Sequence, residues 1–584
     1  MNQELKEYIQ SLIPKNFPDG NELVKEGREM AKDLEWKKSR FMEEYGYDTH
    51  LQYRKEALAK GKTTYQLLMG LSTLEEELDA IKEIDAFHKR TGFELRSVQS
   101  IPAQIVGLDP KDWEGFPETT SYIMKDPEDW KAHAEAAPVD ICWQDWHMAS
   151  PNNLNQTKYA LEAGTSRLGC FSTFVWDYPG YQDEVNRFSD MCRTMGILAA
   201  KKDEGMDCMT YPEDGMPGFF LDVASYVGYM MVEHYIIEDL CGARMALSYG
   251  GLLPEILPRM SFMLALEKLY GTPDHPFCTY YNGSTTMQWD HDIEANYGVG
   301  ASEMLIEQVF NLKYNLPIII NPVSITEALR VPTLNELFDI VKCGIGVEQM
   351  APQWLEIIDF TKFEEMRDFL IEKGTKFYEN VMSSFKEAGV NINDPLEMIV
   401  TLKHFDPVRF EQEFNPSKDE FGSFRPYVAT PLGRDTMKEM DEIIDDLKGK
   451  GYTDALKGKK LICASADGHS YGLLLIDGVW KAVSAEVVNA GTYMEPGFVL
   501  DLADEEDADA VLVSVHCGQI LDYAKQIKAL EDQRGKKYKV LLGGMLNSKM
   551  EGYTEPVDVS DLVEEMGISA TNDFEKQLNF ILHN

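Results

Sequence analysis

Near its end this chain reads Ala464–Ser465–Ala466–Asp467–Gly468–His469–Ser470–Tyr471–Gly472, set between two apolar runs. Lys460–Leu461–Ile462–Cys463 before it reads as a buried parallel strand, and Leu473–Leu474–Leu475–Ile476 after it as the start of a helix. Asp467-x-His469-x-x-Gly472 therefore falls on a strand-to-helix turn, where an open α/β sheet places its ligand. A glycine there lets the backbone approach something bulky, and a carboxylate two residues away can orient an imidazole. A polar loop that only closes a strand is the plain alternative. Two further features favour a site: Ser514 ends the apolar run Ala510–Val511–Leu512–Val513, and Gly543–Gly544 ends Val540–Leu541–Leu542. Both fall at carboxyl ends of strands, on one edge of a doubly wound sheet.

Asp-x-His-x-x-Gly, then Ser, then Gly-Gly resembles the cobalamin-binding domain of base-off/His-on enzymes. The resemblance implies that His469 is the lower ligand of cobalt in place of dimethylbenzimidazole, with Asp467 hydrogen-bonded to its far ring nitrogen. It also implies that the nucleotide tail enters a slot lined by Ser514, Gly543 and Gly544, on the same side as Gly472. One departure stands out. The family has Ser-x-Leu where this chain has Ser514–Val515–His516. His516 is read as packing in the leucine's place rather than ligating cobalt; a second polar group near the tail is the other reading.

With 584 residues the chain has length for two or three domains and a full core without disulfides or structural metal. Its 56 basic and 98 acidic residues give a net charge of −42, which repels nucleic-acid phosphates and anionic membrane surfaces. Neither nucleic acid nor membrane is expected as a partner. The nine cysteines are scattered without a CxxC pair, as expected of small core residues in a reducing compartment. No signal-peptide h-region or membrane-length apolar run is seen, so a cytoplasmic protein is expected.

Residues 1–60 are charged and helical in period, a helical extension that packs on something else. From about residue 61 to 345, eight apolar runs alternate with amphipathic helices: those opening at Thr64, Phe93, Val139, Leu168, Met206, Ala243, Pro276 and Pro317. This alternation suggests a (β/α)₈ TIM barrel, with a doubly wound sheet as the competing topology. Residues 346–455 return to helix and linker, with Phe405–Gly433 an ordered arm. Residues 456–584 form the doubly wound, flavodoxin-like cobalamin-binding domain.

The barrel region also resembles one family. Gly115–Phe116–Pro117, Ala163–Gly164–Thr165–Ser166, Pro179–Gly180–Tyr181, Ile318–Ile319–Ile320–Asn321 and Glu327–Ala328–Leu329–Arg330–Val331–Pro332–Thr333 look like the large subunit of glutamate mutase. Roughly the last 125 residues resemble that enzyme's small subunit, fused here as in 2-methyleneglutarate mutase. What the resemblance implies is an adenosylcobalamin-dependent carbon-skeleton mutase: hydrogen abstraction, migration of a carbon fragment, hydrogen return. By the same resemblance Glu327 binds the adenosine ribose, with Asn321 near the family's partner lysine. His147 and Tyr181 stand at substrate positions, each with a core or structural role as the alternative.

The family's substrate-gripping arginines fall on Leu68 and Trp146, and its ammonium-binding glutamate on Leu168. Glutamate is therefore not the expected substrate. A carboxylate held by Arg167, with Arg96 as a second possibility, favours a small carboxylic acid of the 2-methyleneglutarate kind. The aromatic set Trp143, Trp146, Trp176, Tyr178 and Trp289 belongs either to the core or to the barrel mouth. A homo-oligomer, dimer or tetramer, is expected. The competing functions are a corrinoid-dependent methyltransferase and a cobalamin sensor. A barrel with mutase-like loops before the cobalamin domain favours the mutase.

Overall fold

The structure, a computed structural model, describes residues 1–114, 116, 121–144, 147–165, 167–178, 180–284, 293–327, 331–467, 471–492, 494–516, 518–548, 550 and 557–583. The chain divides into two compact units, Met1–Gly218 with Val223–Phe405 and Phe219–Asp222 with Asp406–Asn584. The division runs through the segment 346–455. No described helix is long and apolar enough to cross a membrane.

The first unit is a closed barrel of eight parallel strands in chain order. They are β1 (Tyr65–Met69), β2 (Leu95–Ser100), β3 (Asp140–Trp143), β4 (Arg167–Leu168), β5 (Asp207–Thr210), β6 (Met245–Tyr249), β7 (Cys278–Asn282) and β8 (Ile319–Asn321). Most of these strands are buried along their whole length, as parallel strands covered by helices must be, so their sequences are near-continuous apolar runs. Local signals fix the helices between them. Leu74–Thr91 starts at Thr73, whose hydroxyl accepts from Glu76 N–H at 3.2 Å. Glu75, Glu76 and Glu77 fill its first turn and His88, Lys89 and Arg90 its last, matching the helix dipole. Gly92 then ends it at φ +69°, a left-handed position that glycine takes without strain.

Inside the barrel the side chains form levels. At the amino end Arg167 pairs with Asp140, beside Ser97 and His50. Above it lie Cys142, Met209, Ala246, Tyr280 and Ile319. Nearer the carboxyl end runs a belt of amides. Gln66 and Asn321 both donate to Gln99 Oε1, at 2.9 and 2.8 Å. Asn321 also donates to Asn282 Oδ1 at 2.7 Å, and Asn282 to Ser248 Oγ at 2.9 Å. The amino-terminal extension packs on the barrel's outer helices. Helix Gly20–Met30 crosses helix Glu184–Lys201 with glycine against backbone on each side. A Cβ on Gly27 would lie 1.9 Å from Arg193 O, and one on Gly196 2.0 Å from Val24 O.

The second unit carries a five-stranded parallel sheet ordered β10–β9–β11–β12–β15. Its strands are β9 (Lys460–Ser465), β10 (Glu486–Gly491), β11 (Ala510–Val515), β12 (Val540–Gly544) and β15 (Ser569–Ala570). A small antiparallel pair, β13 (Asn547–Ser548) and β14 (Val557–Asp558), stands apart. This is the doubly wound, flavodoxin-like order expected of the region. The expected barrel is likewise observed, and the competing doubly wound reading of residues 61–345 is not.

Candidate cofactor and active site

In the second unit the winding of the sheet reverses between β9 and β11, and ligands of such sheets bind in the crevice outside that reversal. Asp467 lies just past β9 and is 5% exposed. Its Oδ2 accepts from the backbone N–H of His516 at 2.7 Å, tying the loops after β9 and β11 together across the crevice. The contact expected between Asp467 and His469 lies outside the described residues, as do Gly468, His469 and Ser470 themselves.

Beside the crevice opens a cavity of about 400 Å³, and Gly472, Ser514, Gly543 and Gly544 all line it. The three glycines serve different needs. A Cβ on Gly472 would lie 2.2 Å from Ser514 Oγ, so only glycine lets the helix Tyr471–Ala482 sit this close to β11. Gly544 has φ +91° and its Cβ would meet Val515 O at 2.4 Å, so it is excluded twice over. At Gly543 the nearest atom to a Cβ is Asn572 Oδ1 at 3.3 Å, and the missing side chain leaves room for a ligand. His516 lines the same cavity rather than packing away from it.

The cavity's chemistry suits a flat heteroaromatic base with a sugar attached. Leu475, Leu512, Leu541 and Phe574 give apolar walls, while Ser514, Asn572 and Gln577 give polar groups. Asn572 brackets the Gly544 peptide, accepting from its N–H at 2.7 Å and donating to its C=O at 2.8 Å. Gln577 is 2% exposed; its Nε2 donates to Thr571 O at 2.9 Å, and its Oε1 is buried without a hydrogen-bond partner. Neither residue was found in the sequence, because both reach the cavity from the far end of the chain and carry no motif. The volume falls in the range of about 300–1,000 Å³ typical of small-molecule sites. Space, glycine geometry and an unpaired buried acceptor together fit the nucleotide tail of a cobalamin.

In the barrel, Glu327 follows β8 and lines a cavity of about 270 Å³ with Leu68, Gly70, Ile101 and Ser324. Leu68, Gly70 and Ile101 belong to the carboxyl ends of β1 and β2, the face where barrels of this kind carry their sites. Glu327 Oε2 is buried without a hydrogen-bond partner, and burial raises the carboxyl above its usual range. Ala328, Leu329 and Arg330 lie outside the described residues. Asn321 is not part of this cavity's lining; it belongs to the amide belt, with Oδ1 unpaired.

His147 follows β3, fully buried. Its Nδ1 lies 3.2 Å from Gln144 O, so the proton sits there in the neutral ring, and Nε2 has no partner. Burial pushes its pKa down to about 3. Gln144 beside it has a buried Nε2 with no partner, a donor that sequence reasoning did not single out. Tyr181 stands elsewhere, half-buried over a separate polar cavity with Asp109, Asn155 and Asp190, its hydroxyl 3.4 Å from Asn186 Nδ2. The structure does not bring it to Glu327's cavity.

Arg167 departs from expectation. It lies at the amino end of the barrel, 1% exposed, ion-paired with Asp140 and over the Tyr280 ring. A guanidinium committed there is at the end of the barrel opposite the mouth, away from where a substrate carboxylate was expected. Arg96 is likewise engaged, with Glu94 at 3.2 Å and the Tyr45 ring at 4.5 Å. Trp146, Trp289, Gly115, Pro117, Ser166 and Pro179 lie outside the described residues; Trp143 is fully buried and Tyr178 nearly so. Two acids that no motif marks stand out on geometry. Burial raises Glu213 to about 7, with Gly250 N–H on its Oε1 at 2.7 Å. It raises Glu233 to about 7 as well, against the lowering effect of its bonds from Thr210 and Ser172.

No curated protein matches this chain. Among solved structures, a dihydropteroate synthetase with bound product is 10% identical, with TM-score 0.28, covering 49% of this chain and 94% of its own. The carboxyl transferase domain of Rhizobium etli pyruvate carboxylase with pyruvate is 11% identical, with TM-score 0.30, covering 76% of this chain and 61% of its own. The same domain with 3-hydroxypyruvate is 12% identical, with TM-score 0.30, covering 81% and 82%. Residues 460–565 match the family model of the B12 binding domain, and on a chain that also carries a TIM barrel this match supports a cobalamin-dependent enzyme.

Proposed function

We propose that the chain is an adenosylcobalamin-dependent carbon-skeleton mutase acting on a small carboxylic acid, of the 2-methyleneglutarate kind rather than glutamate. The observation that carries the reading is the cavity bounded by Gly472, Ser514 and Gly543–Gly544 within the region that matches the B12 binding domain. Asp467, Gly472, Ser514, Gly543 and Gly544 would hold the cofactor's tail side, and His469 would ligate its cobalt. When bound, adenosylcobalamin supplies a reversible source of a carbon radical.

The barrel's own residues supply position and exclusion of water. Glu327, with an unpaired carboxyl oxygen at the mouth, would accept from the hydroxyls of a ribose and so orient an adenosyl group. His147 keeps its proton on Nδ1 against Gln144 O and offers Nε2 as a neutral acceptor. Gln144 Nε2 offers a buried donor to a carboxyl oxygen. Leu68 lines the mouth and Leu168 is fully buried, which leaves no arginine at the first position and no ammonium partner at the second. Each absent charge-assisted contact costs glutamate about 1.5–3 kcal/mol of binding.

The test is turnover by the full-length chain with adenosylcobalamin, followed by proton NMR of the acid supplied. A rearranged carbon skeleton from 2-methyleneglutarate or a related short acid, with none from glutamate, is expected. Activity that requires methylcobalamin and releases a methylated product would overturn the mutase reading in favour of a methyltransferase.

A further inference from the structure

Around the cavity of the second unit, Gln577 Oε1 is a buried acceptor with no hydrogen-bond partner. The amide's orientation is set by the other half of the group, since Nε2 donates to Thr571 O at 2.9 Å. A buried carbonyl left unpaired is costly, and a ligand that brings a donor removes the cost. Its neighbour Asn572 already has both amide atoms engaged with Gly544, so neither is left without a partner.

We propose that Gln577 is a specificity residue for the cofactor's nucleotide tail, accepting a hydrogen bond from a hydroxyl of the tail's ribose; this rests on the cobalamin reading above. Elimination among the tail's groups leads there. The benzimidazole has no N–H once its glycosidic bond is formed, and a phosphodiester at neutral pH offers only acceptors. The amide N–H that joins the tail to the corrin lies at the corrin's edge and is shared by tail-less corrinoids. The ribose hydroxyls are the donors that the slot itself would receive. A Cβ on Gly543 would stand 3.8 Å from Gln577 Nε2, so the buried amide borders the space that Gly543 leaves bare.

The test is titration of the full-length chain with hydroxocobalamin and with cobinamide, which lacks base, ribose and phosphate, followed by absorbance. Gln577→Met is expected to weaken cobalamin binding about tenfold or more and to leave cobinamide within twofold. Gln577→Glu keeps the acceptor, loses the donor to Thr571 O, and is expected to retain the preference for cobalamin. On the wild-type chain, a cobalamin with O-methylated ribose hydroxyls is expected to show a loss similar to that of the Met variant, which needs no variant to fold. Unchanged cobalamin affinity in Gln577→Met, equal loss of both corrinoids, equal loss of preference in the Met and Glu variants, or undiminished binding of the methylated cobalamin would each overturn the inference. Wild-type chain that binds neither corrinoid would instead overturn the cobalamin reading itself.

Discussion

At the scale of single residues, the cavity of the second unit is defined by atoms that are not there. Gly472 touches Ser514 so closely that the two positions act as a pair. Gly472→Ala is expected to destabilise the chain by about 1–3 kcal/mol through overpacking. Removing the Ser514 hydroxyl in the double variant with Ser514→Ala would restore part of that loss, since the remaining Ser514 Cβ contact is 3.0 Å. Denaturant unfolding of the two single variants and the double variant reads the coupling; additive effects would contradict the packing described. Ser514 and Gly543–Gly544 were legible because they stand at the ends of apolar strands, and Gly472 because it opens the helix that follows one. Asn572 and Gln577 were not: Asn572 follows a strand of two residues and Gln577 sits on the helix Phe574–His583, and neither carries a local pattern. His469, the residue on which the sequence reading turned, lies outside the described residues.

At the scale of elements, the eight barrel strands were legible as buried apolar runs, and their order followed from the helices between them. β10 and β15 were not. β10 is an edge strand with Glu486 exposed and most of its other residues half-buried, so Glu486–Gly491 shows no continuous apolar run; β15 is two residues long. β4 is also only two residues, and β3 and β4 share one registered pair, Trp143 with Leu168. The ion pair of Asp140 and Arg167 joins the same two strands where the ladder is thin. Arg167 was expected at a substrate position, and its level in the barrel was not legible: along a strand, adjacent residues differ in level as well as in face, and a sequence does not say which level a charge occupies. Arg167→Met should leave Asp140 buried without its partner and destabilise the first unit by about 3–5 kcal/mol. Thermal unfolding checks it. A variant that melts like the wild type and changes only KM would return Arg167 to the substrate.

For the whole molecule, the fold class was legible because two periodicities met: strand–helix alternation for the barrel, and strand-end motifs for the parallel sheet. The net charge of −42 led to an expectation against polyanionic partners and said nothing about what the chain binds. As proposed, this chain uses adenosylcobalamin to rearrange the skeleton of a small acid. The most direct test is anaerobic EPR of the full-length chain loaded with adenosylcobalamin, mixed in turn with 2-methyleneglutarate, related short acids and glutamate. A cob(II)alamin signal coupled to an organic radical is expected with at least one non-amino acid, and none with glutamate. Absence of any coupled radical from a chain that has bound adenosylcobalamin, across the whole panel, would contradict the proposal.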